Sequence, residues 1–506
     1  MSNAIDALLN RITMYRLVLY FLIFLLVDAL ELSIQGSLSY DPFGLLLSVS
    51  FLLAACAATN WIFGRTFGVP TNAESAYITA LILVLIITPL KSYNDLWFLL
   101  WAAVLSMASK YILAINGKHL FNPAALAVAV TYFTINQSAS WWVGNAQMLP
   151  FVLAGGLLIV RKIRRFDLVV SFLLTALVMV IVASLFSGSS LLSSFQQISL
   201  YSPLFFFAFV MLTEPLTTPP TRKLRIIYGV LTGFMFTPFI QIGSFSTTPE
   251  LALLIGNVFT YLASPKAKLV LTLKDKTRLA PDTFEFVFAT TKKLAFAPGQ
   301  YMEWTLGHEN ADSRGNRRYF TLASSPTERD LRLGVKFYQH ASSYKKALAV
   351  LNGEHEIVAS QLAGEFTLPE NPYQKCVFIA GGIGITPFRS MIKYLLDTRQ
   401  RRSIILFYTN KSPEEIVYKD VFDRAERELG IKTVYAVTDP KSVRTGWNGL
   451  VGRITPEWIT KYVPRYRTFV FYISGPTGMV NSFKATLRQM GVPEGQIKVD
   501  YFAGLT

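Results

Sequence analysis

Cysteine and histidine are scarce in this 506-residue chain, and their scarcity removes most inorganic redox chemistry. There are 2 cysteines, Cys56 and Cys376, and 4 histidines, His119, His308, His340 and His355. Neither cysteine stands at a metal-ligand spacing, so an iron–sulfur cluster or a structural zinc held within the chain is excluded and no metal site is expected. Only His119 lies in the first half, which excludes a bis-histidine haem there. Redox chemistry, if present, must run on organic cofactors. Charge is the third scarcity, confined to one half. Residues 1–264 carry 13 Lys+Arg and 9 Asp+Glu, against 35 and 23 in residues 265–506, with the break near Leu262–Lys266. The net charge of +16 contains no dense basic block and no basic stripe spaced by aromatics, so no nucleic acid is expected as a partner. Anionic membrane lipid and phosphate-bearing cofactors suit such a surface better.

What the first half does contain is apolar sequence. Runs recur at Met14–Leu32, Phe43–Ile62, Tyr77–Leu90, Leu96–Ile115, Asn122–Phe133, Leu149–Val160, Leu168–Leu185, Leu204–Leu216, Ile226–Ile240 and Leu251–Leu262. They predict a polytopic α-helical membrane domain of about ten spans. Several fall short of the roughly 20 residues a crossing needs, as broken or re-entrant helices do. If all ten cross, Arg11, Arg16, Arg65, Lys118, Arg161–Arg165 and Arg222–Arg225 share a side with Lys266, and the opposite loops carry little beyond Lys91. That asymmetry predicts a multi-pass protein of the cell membrane with both termini cytoplasmic. No small-residue cleavage site follows the first apolar run, so a secretory signal peptide is not expected.

Two polar sequences interrupt the apolar pattern. In Asn116–Ala125, Pro123 suits the first turn of a helix and Asn122 its cap. In Thr213–Thr221, hydroxyls including Thr217 and Thr218 surround Glu214 between prolines. Each reads either as a cap and tight loop at the membrane surface or as a polar pocket for a phosphate-bearing ligand between half-helices. A carboxylate such as Glu214 near hydrocarbon must be paired, hydrated or functional.

These residues carry a resemblance. Residues 15–262 resemble the membrane subunits of sodium-pumping NADH:quinone reductase (the B subunit) and of the Rnf electron-transport complex (the D subunit), ten-span flavin-binding proteins. The stretches Lys118–Ala125 (KHLFNPAA), Thr213–Pro220 (TEPLTTPP) and Tyr228–Gly233 (YGVLTG) are similar to their signatures, with Glu214 in place of the usual Asp. The resemblance implies a membrane flavin whose pocket includes Lys118, Asn122, Glu214, Thr217 and Thr218. Those subunits attach FMN through a threonine in a Ser-Gly-Ala-Thr motif. The corresponding loop here reads Gln137-Ser138-Ala139-Ser140 and Gly144-Asn145-Ala146-Gln147, so the expected FMN or riboflavin is non-covalent.

The second half changes character. Ala267–Ala280 and Thr283–Thr290 alternate and are rich in Val, Thr and Phe, which predicts antiparallel strands of a small barrel. From Lys375 onward strands alternate with helices, which predicts a parallel sheet with ligands at its carboxyl edge. Gly381-Gly382-Ile383-Gly384-Ile385-Thr386-Pro387 follows one strand, and Ser474-Gly475-Pro476-Thr477-Gly478-Met479 follows another. Two small-residue loops at one edge let backbone amides approach a dinucleotide pyrophosphate. Arg318-Tyr319-Phe320-Thr321 supplies a cation for a pyrophosphate, an aromatic face and a hydroxyl.

In this order the motifs resemble the ferredoxin–NADP reductase superfamily over residues 266–506. The resemblance implies FAD at Arg318, Phe320, Thr321, Ser342, Ser343 and Tyr344, with Phe320 and Thr321 beside the reacting ring. It implies NAD(P)H at Gly381, Gly382, Gly384, Thr386, Pro387, Gly475, Pro476 and Met479, with Ser474 where the family has cysteine. Tyr501 and Phe502 are expected to fold back near the flavin. Lys411 and Arg389 are candidates for an adenosine 2′-phosphate.

The expected architecture is a membrane domain over 1–264, an FAD-binding antiparallel β-barrel over 265–372 and an α/β nicotinamide-binding domain over 373–506. The expected activity is NAD(P)H oxidation through FAD. Electrons would then reach a membrane flavin and an extracytoplasmic acceptor such as a separately flavinylated protein. A membrane-anchored NAD(P)H:quinone or flavin reductase is the alternative, and a transporter with a redox-sensing domain is a second.

Overall fold

The computed structural model of the chain describes residues 5, 9, 12–68, 73–115, 118–237, 241–242, 245–264, 268–290, 293–308, 316–339, 341–353, 355–443 and 445–500. The chain divides into two compact units, Met1–Ser264 and Pro265–Phe502.

The first unit is helical: α1 (Met14–Ile34), α2 (Pro42–Thr66), α3 (Ala73–Ile86), α4 (Asp95–Ile112), α5 (Pro123–Ile135), α6 (Leu149–Ile163), α7 (Phe166–Ser187), α8 (Leu191–Leu200), α9 (Leu204–Phe206, continuing as a π-turn through Met211), α10 (Arg222–Phe236) and α11 (Pro249–Ala263). Caps fix where several begin. Asp41 accepts from the Gly44 amide at 2.7 Å with Pro42 opening α2, and Asn122 accepts from Ala125 at 3.0 Å with Pro123 opening α5. The helices are apolar on both faces. Phe21, Leu25 and Phe172 fill the core while Phe24, Leu174 and Phe186 point outward, as in helices that meet an apolar medium.

Each of the ten apolar runs lies over one of these helices, yet helix length carries fewer crossings than ten. Among the described residues four helices, α1, α2, α4 and α7, are long and apolar enough to cross a membrane, which makes five spans if α8 and α9, bent by 56°, count as one. The helices α3, α5, α6, α10 and α11 have 13 to 15 residues, about 20–23 Å at 1.5 Å per residue against a hydrocarbon core of about 30 Å. Polar segments complete the short ones. The open carbonyls at the end of α3 receive the turn at 140–143: the Ser140 and Trp141 amides both donate to Ile86 O at 2.9 Å, and Trp142 Nε1 donates to Val84 O at 2.7 Å. A helix ending among other helices needs such partners, because there is no water to supply them.

The second unit has two layers of different construction. Strands β1 (Lys268–Ala280), β2 (Thr283–Ala289), β3 (Tyr301–Thr305), β4 (Arg317–Thr321), β5 (Leu331–Lys336) and β6 (Glu356–Ala363) pair antiparallel in the order β4-β3-β6-β1-β2-β5. Alternation turns Leu271, Phe286, Phe288, Met302, Trp304 and Leu333 into one core. The short helix α12 (Ser343–Ala349) follows β5. Strands β7 (Cys376–Gly381), β8 (Ile404–Asn410), β9 (Lys432–Val437), β10 (Leu450–Val451), β11 (Val470–Ser474) and β12 (Ile497–Val499) are all parallel, in the order β10-β9-β8-β7-β11-β12. β7 is buried along its whole length, as a central strand covered on both faces must be. Helices α13 (Thr386–Asp397) and α14 (Lys419–Leu429) pack on one face, and α15 (Pro456–Tyr462) and α16 (Thr477–Gln489) on the other. An antiparallel barrel followed by this parallel sheet is a ferredoxin-reductase-like fold. The strand order reverses direction between β7 and β11, where an open α/β sheet leaves a crevice at its carboxyl edge.

Candidate functional sites

The crevice of the second unit is lined by two turns that only glycine permits. At Gly384 an added Cβ would sit 2.5 Å from Ser474 O and 2.6 Å from Gly475 Cα, and at Gly381 it would sit 2.3 Å from Met479 Sδ. The two loops therefore touch backbone to backbone. Gly382 instead has φ +53° and faces open space, so its backbone is bare toward the crevice. Thr386 and Pro387 open α13 directly after this turn, with Thr386 Oγ1 donating to Ile383 O at 3.3 Å, and Pro476 precedes α16. Two helix N-termini thus stand side by side at the ends of adjacent strands, an arrangement that favours an anionic ligand.

On the barrel, alternation along β4 brings Arg318 and Phe320 to one side and Thr321 to the other. The Arg318 guanidinium lies 5.2 Å from the Tyr344 ring centre and the Phe320 ring 6.0 Å from it. Ser342 caps α12 by accepting from Lys345 N at 3.3 Å, and Ser343 Oγ meets His308 Nε2 at 3.2 Å. Tyr344 is fully buried, burial pushes its phenol well above the ordinary range, and its hydroxyl has no hydrogen-bond partner among the described residues. A buried, unsatisfied phenol beside a cation and an aromatic face fits a phosphate-bearing, ring-bearing group such as FAD.

Thr321 faces a residue that sequence reasoning missed. Ser474 Oγ donates to Asp500 Oδ2 at 3.1 Å, and Thr321 bonds the same carboxyl. Burial pushes that carboxyl up to about 7, while the Ser474 and Thr321 hydroxyls pull it back toward the charged form. Nothing local marked Asp500, because its partners lie 26 and 179 positions away. The expectations at Tyr501 and Phe502 lie outside the described residues. Lys411 stands at the end of β8, its carbonyl accepting from Asp439 N at 3.1 Å at the end of β9. Arg389 is not available to a 2′-phosphate. It is buried and turned into the unit, where Nη2 donates to Glu328 Oε1 at 3.0 Å and Nη1 to Ala323 O at 2.9 Å.

In the first unit, the two polar sequences come together although 95 positions separate them. His119 Nε2 meets Glu214 Oε1 at 2.9 Å, Asn122 Nδ2 donates to Glu214 Oε2 at 2.9 Å, and Thr217 Oγ1 to the same oxygen at 3.2 Å. Thr218 Oγ1 donates to Pro215 O at 3.4 Å. The Asn122 amide donates to Asn257 Oδ1 at 2.8 Å, and Asn257 Nδ2 to Tyr228 Oη at 3.3 Å. Lys110 Nζ, on α4, bonds Ser75 O at 2.9 Å and Thr79 Oγ1 at 2.8 Å. His119, Asn257 and Lys110 were not anticipated as members of this cluster. Asn257 and Lys110 are isolated polar residues in apolar helices, which was the available signal. Lys118 pairs through its backbone with Ile115, and its side chain lies outside the described residues.

Comparison with known proteins matches both halves. Residues 140–265 match the NQR2, RnfD, RnfE family. Residues 378–485 match the oxidoreductase NAD-binding domain. Among curated proteins, flavohemoprotein A of Dictyostelium discoideum is 24% identical over 238 residues, covering 44% of this chain and 57% of that protein. NADH-cytochrome b5 reductase 1 of Ajellomyces capsulatus is 27% identical over 230 residues, covering 43% and 73%. The chain spans about half the length of the flavohemoproteins it matches. Among solved structures, the cytochrome b5 reductase domain of Ulva prolifera nitrate reductase aligns with a TM-score of 0.42 at 20% identity, over 47% of this chain and 98% of that one. The ferredoxin NADP+ reductase of Neisseria gonorrhoeae aligns with a TM-score of 0.39 at 19% identity, over 46% and 97%.

Proposed function

We propose that this protein, whose two halves carry a segment of the NQR2, RnfD, RnfE family and an oxidoreductase NAD-binding domain, is a membrane-bound NAD(P)H oxidoreductase. In this reading it oxidises cytoplasmic NAD(P)H at FAD and sends the electrons through its membrane unit to an extracytoplasmic acceptor. The observation that carries the reading is the crevice between β7 and β11, where bare glycine backbone and two helix N-termini face the strand bearing Arg318, Phe320 and Thr321. FAD, when bound, accepts a hydride from NAD(P)H and passes electrons on one or two at a time.

The residues have separable tasks. Arg318 neutralises pyrophosphate charge, and Tyr344 beneath it offers a hydroxyl that otherwise lacks a partner. Gly381 and Gly384 keep the two loops in contact, so the amides of 382–386 face the nicotinamide nucleotide from one side. Asp500 holds the hydroxyls of Thr321 and Ser474 to one carboxyl. Protonated below about 7, it can donate one hydrogen bond to a hydroxyl; charged above that, it accepts from both.

A non-covalent FMN or riboflavin in the membrane unit belongs to the same reading. The segments 118–122 and 213–218, knitted together by Glu214, would present hydroxyls and backbone amides to it. The test uses sealed vesicles with NADH supplied at the face that bears the second unit. Reduction of an impermeant acceptor on the opposite face is expected. Reduction confined to added quinone would instead establish a membrane-anchored quinone reductase.

A further inference from the structure

Helix α13 does two things at once. Its first residues, Thr386 and Pro387, continue the glycine turn that faces the nicotinamide nucleotide, and its next turn is bound to the barrel. Arg389 Nη1 donates to Ala323 O at 2.9 Å and Ser390 Oγ to Ser324 O at 2.6 Å. Those carbonyls lie two and three positions beyond Thr321, on the segment that leaves the flavin strand. Glu328 closes the connection. Its carboxylate accepts from both arms of Arg389 and from the Ser325 amide at 2.7 Å, and it forms an ion pair with Arg332, whose Nε stands 3.1 Å from Oε1. Burial opposes the charge on Glu328, yet Arg389 beside it holds the carboxyl below its ordinary range. The Arg389 guanidinium lies 5.5 Å from the Tyr418 ring centre, and Ser324 and Ser325 are fully buried. Directional bonds buried this way have few alternative geometries.

We propose that Arg389, with Glu328 as its partner, is a positioning residue for hydride transfer: it fixes the separation between the flavin strand and the nicotinamide turn. This rests on the proposed reductase reading and deepens it. Between the Arg389 contact and the nicotinamide turn there is less than one turn of helix, and between Ala323 and Thr321 only two residues. Little slack remains for the two reacting faces to move apart. A displacement of about 1 Å in such a system costs on the order of 100-fold in rate.

The test compares the full-length, FAD-loaded protein with Arg389→Lys and Glu328→Gln. Lysine keeps the charge but cannot span Glu328 and Ala323 together, and glutamine keeps the shape but not the charge. Rapid-mixing reduction by NADH and by 4-deuterated NADH should show a rate about 10- to 100-fold lower, a changed isotope effect and a nearly unchanged NADH KM. An independent readout is amide hydrogen exchange of the unloaded protein. Segments 321–328 and 386–392 should lose protection together while β8 and β9 keep theirs. Variants with wild-type reduction rate, isotope effect and protection overturn the proposal. So does loss of FAD from both variants, which would make the pair a folding element only. A wild-type protein that neither nicotinamide reduces would instead bring down the reductase reading itself.

Discussion

The crevice of the second unit and the polar cluster of the first are built from similar parts to opposite ends. Both form where chain ends of helices meet irregular backbone, and both gather residues distant in sequence. In the crevice the chain leaves polar capacity unspent, since Gly382 exposes its backbone to open space. In the cluster the capacity is spent internally, since Glu214 alone receives His119, Asn122 and Thr217. The difference follows from solvent. A crevice at a sheet edge can leave groups to water until a ligand arrives, whereas a carboxylate among apolar helices must be satisfied by protein. The first arrangement is suited to exchange of ligands, and the second fixes two segments against helix ends, so that a ligand there would meet their backbone rather than the Glu214 carboxylate.

The sharpest break of this comparison is Gly384→Val. A Cβ there meets backbone on the neighbouring loop and cannot be relieved by side-chain movement, so kcat/KM for NADH should fall by at least about 100-fold. FAD content should stay unchanged, and if the variant turns over at the wild-type rate the loop contact is irrelevant to the coenzyme. Arg318→Ala comes next. Loss of one charge-assisted contact should weaken FAD binding by about 10- to 100-fold, measured as flavin retained after dilution. Full retention would remove Arg318 from the site.

In the membrane unit, Glu214→Ala strands His119 and Asn122 without their acceptor. The expected loss is about 1–2 kcal/mol, seen as a lower Tm of the first unit with FAD reduction in the second unit intact. An unaltered Tm would mean that the cluster is not holding the loop. The remaining effect is read against pH. Asp500 titrates near 7 in the folded protein and near 3.9 when unfolded. Between those values the folded form holds the extra proton, so stability falls as pH rises from about 4 to about 7 and is level above. Asp500→Asn should abolish that slope together with any inflection near 7 in the rate of flavin reduction. A slope that survives the substitution would assign it to another group.

Much of the second unit was readable because its signals are local. The turn at 381–387 needs glycine at fixed positions, and the first two strands carry alternating stretches rich in Val, Thr and Phe, so these elements announce themselves within a few residues. The helices of the first unit were equally legible, since apolar runs leave few choices, but their number of crossings was not. Run length alone does not say where a helix stops: α3 stops at Ile86, three residues before Pro89, and segment 140–143 satisfies its open carbonyls from elsewhere in the chain. Arg389 taught the same lesson in reverse. Its place after the glycine turn suggested a phosphate contact, whereas Glu328, 61 positions earlier, claims both arms of its guanidinium.

The sequence by itself determined the charge break, the helices under the ten apolar runs, the first strands of the second unit and the turns that require glycine, because steric and hydrophobic constraints act between near neighbours. Only the tertiary structure decided which polar groups saturate one another: Glu214 with His119, Asp500 with Ser474 and Thr321, Arg389 with Glu328. Hydrogen bonds are short and directional, so which donor reaches which acceptor is set by the positions of whole elements.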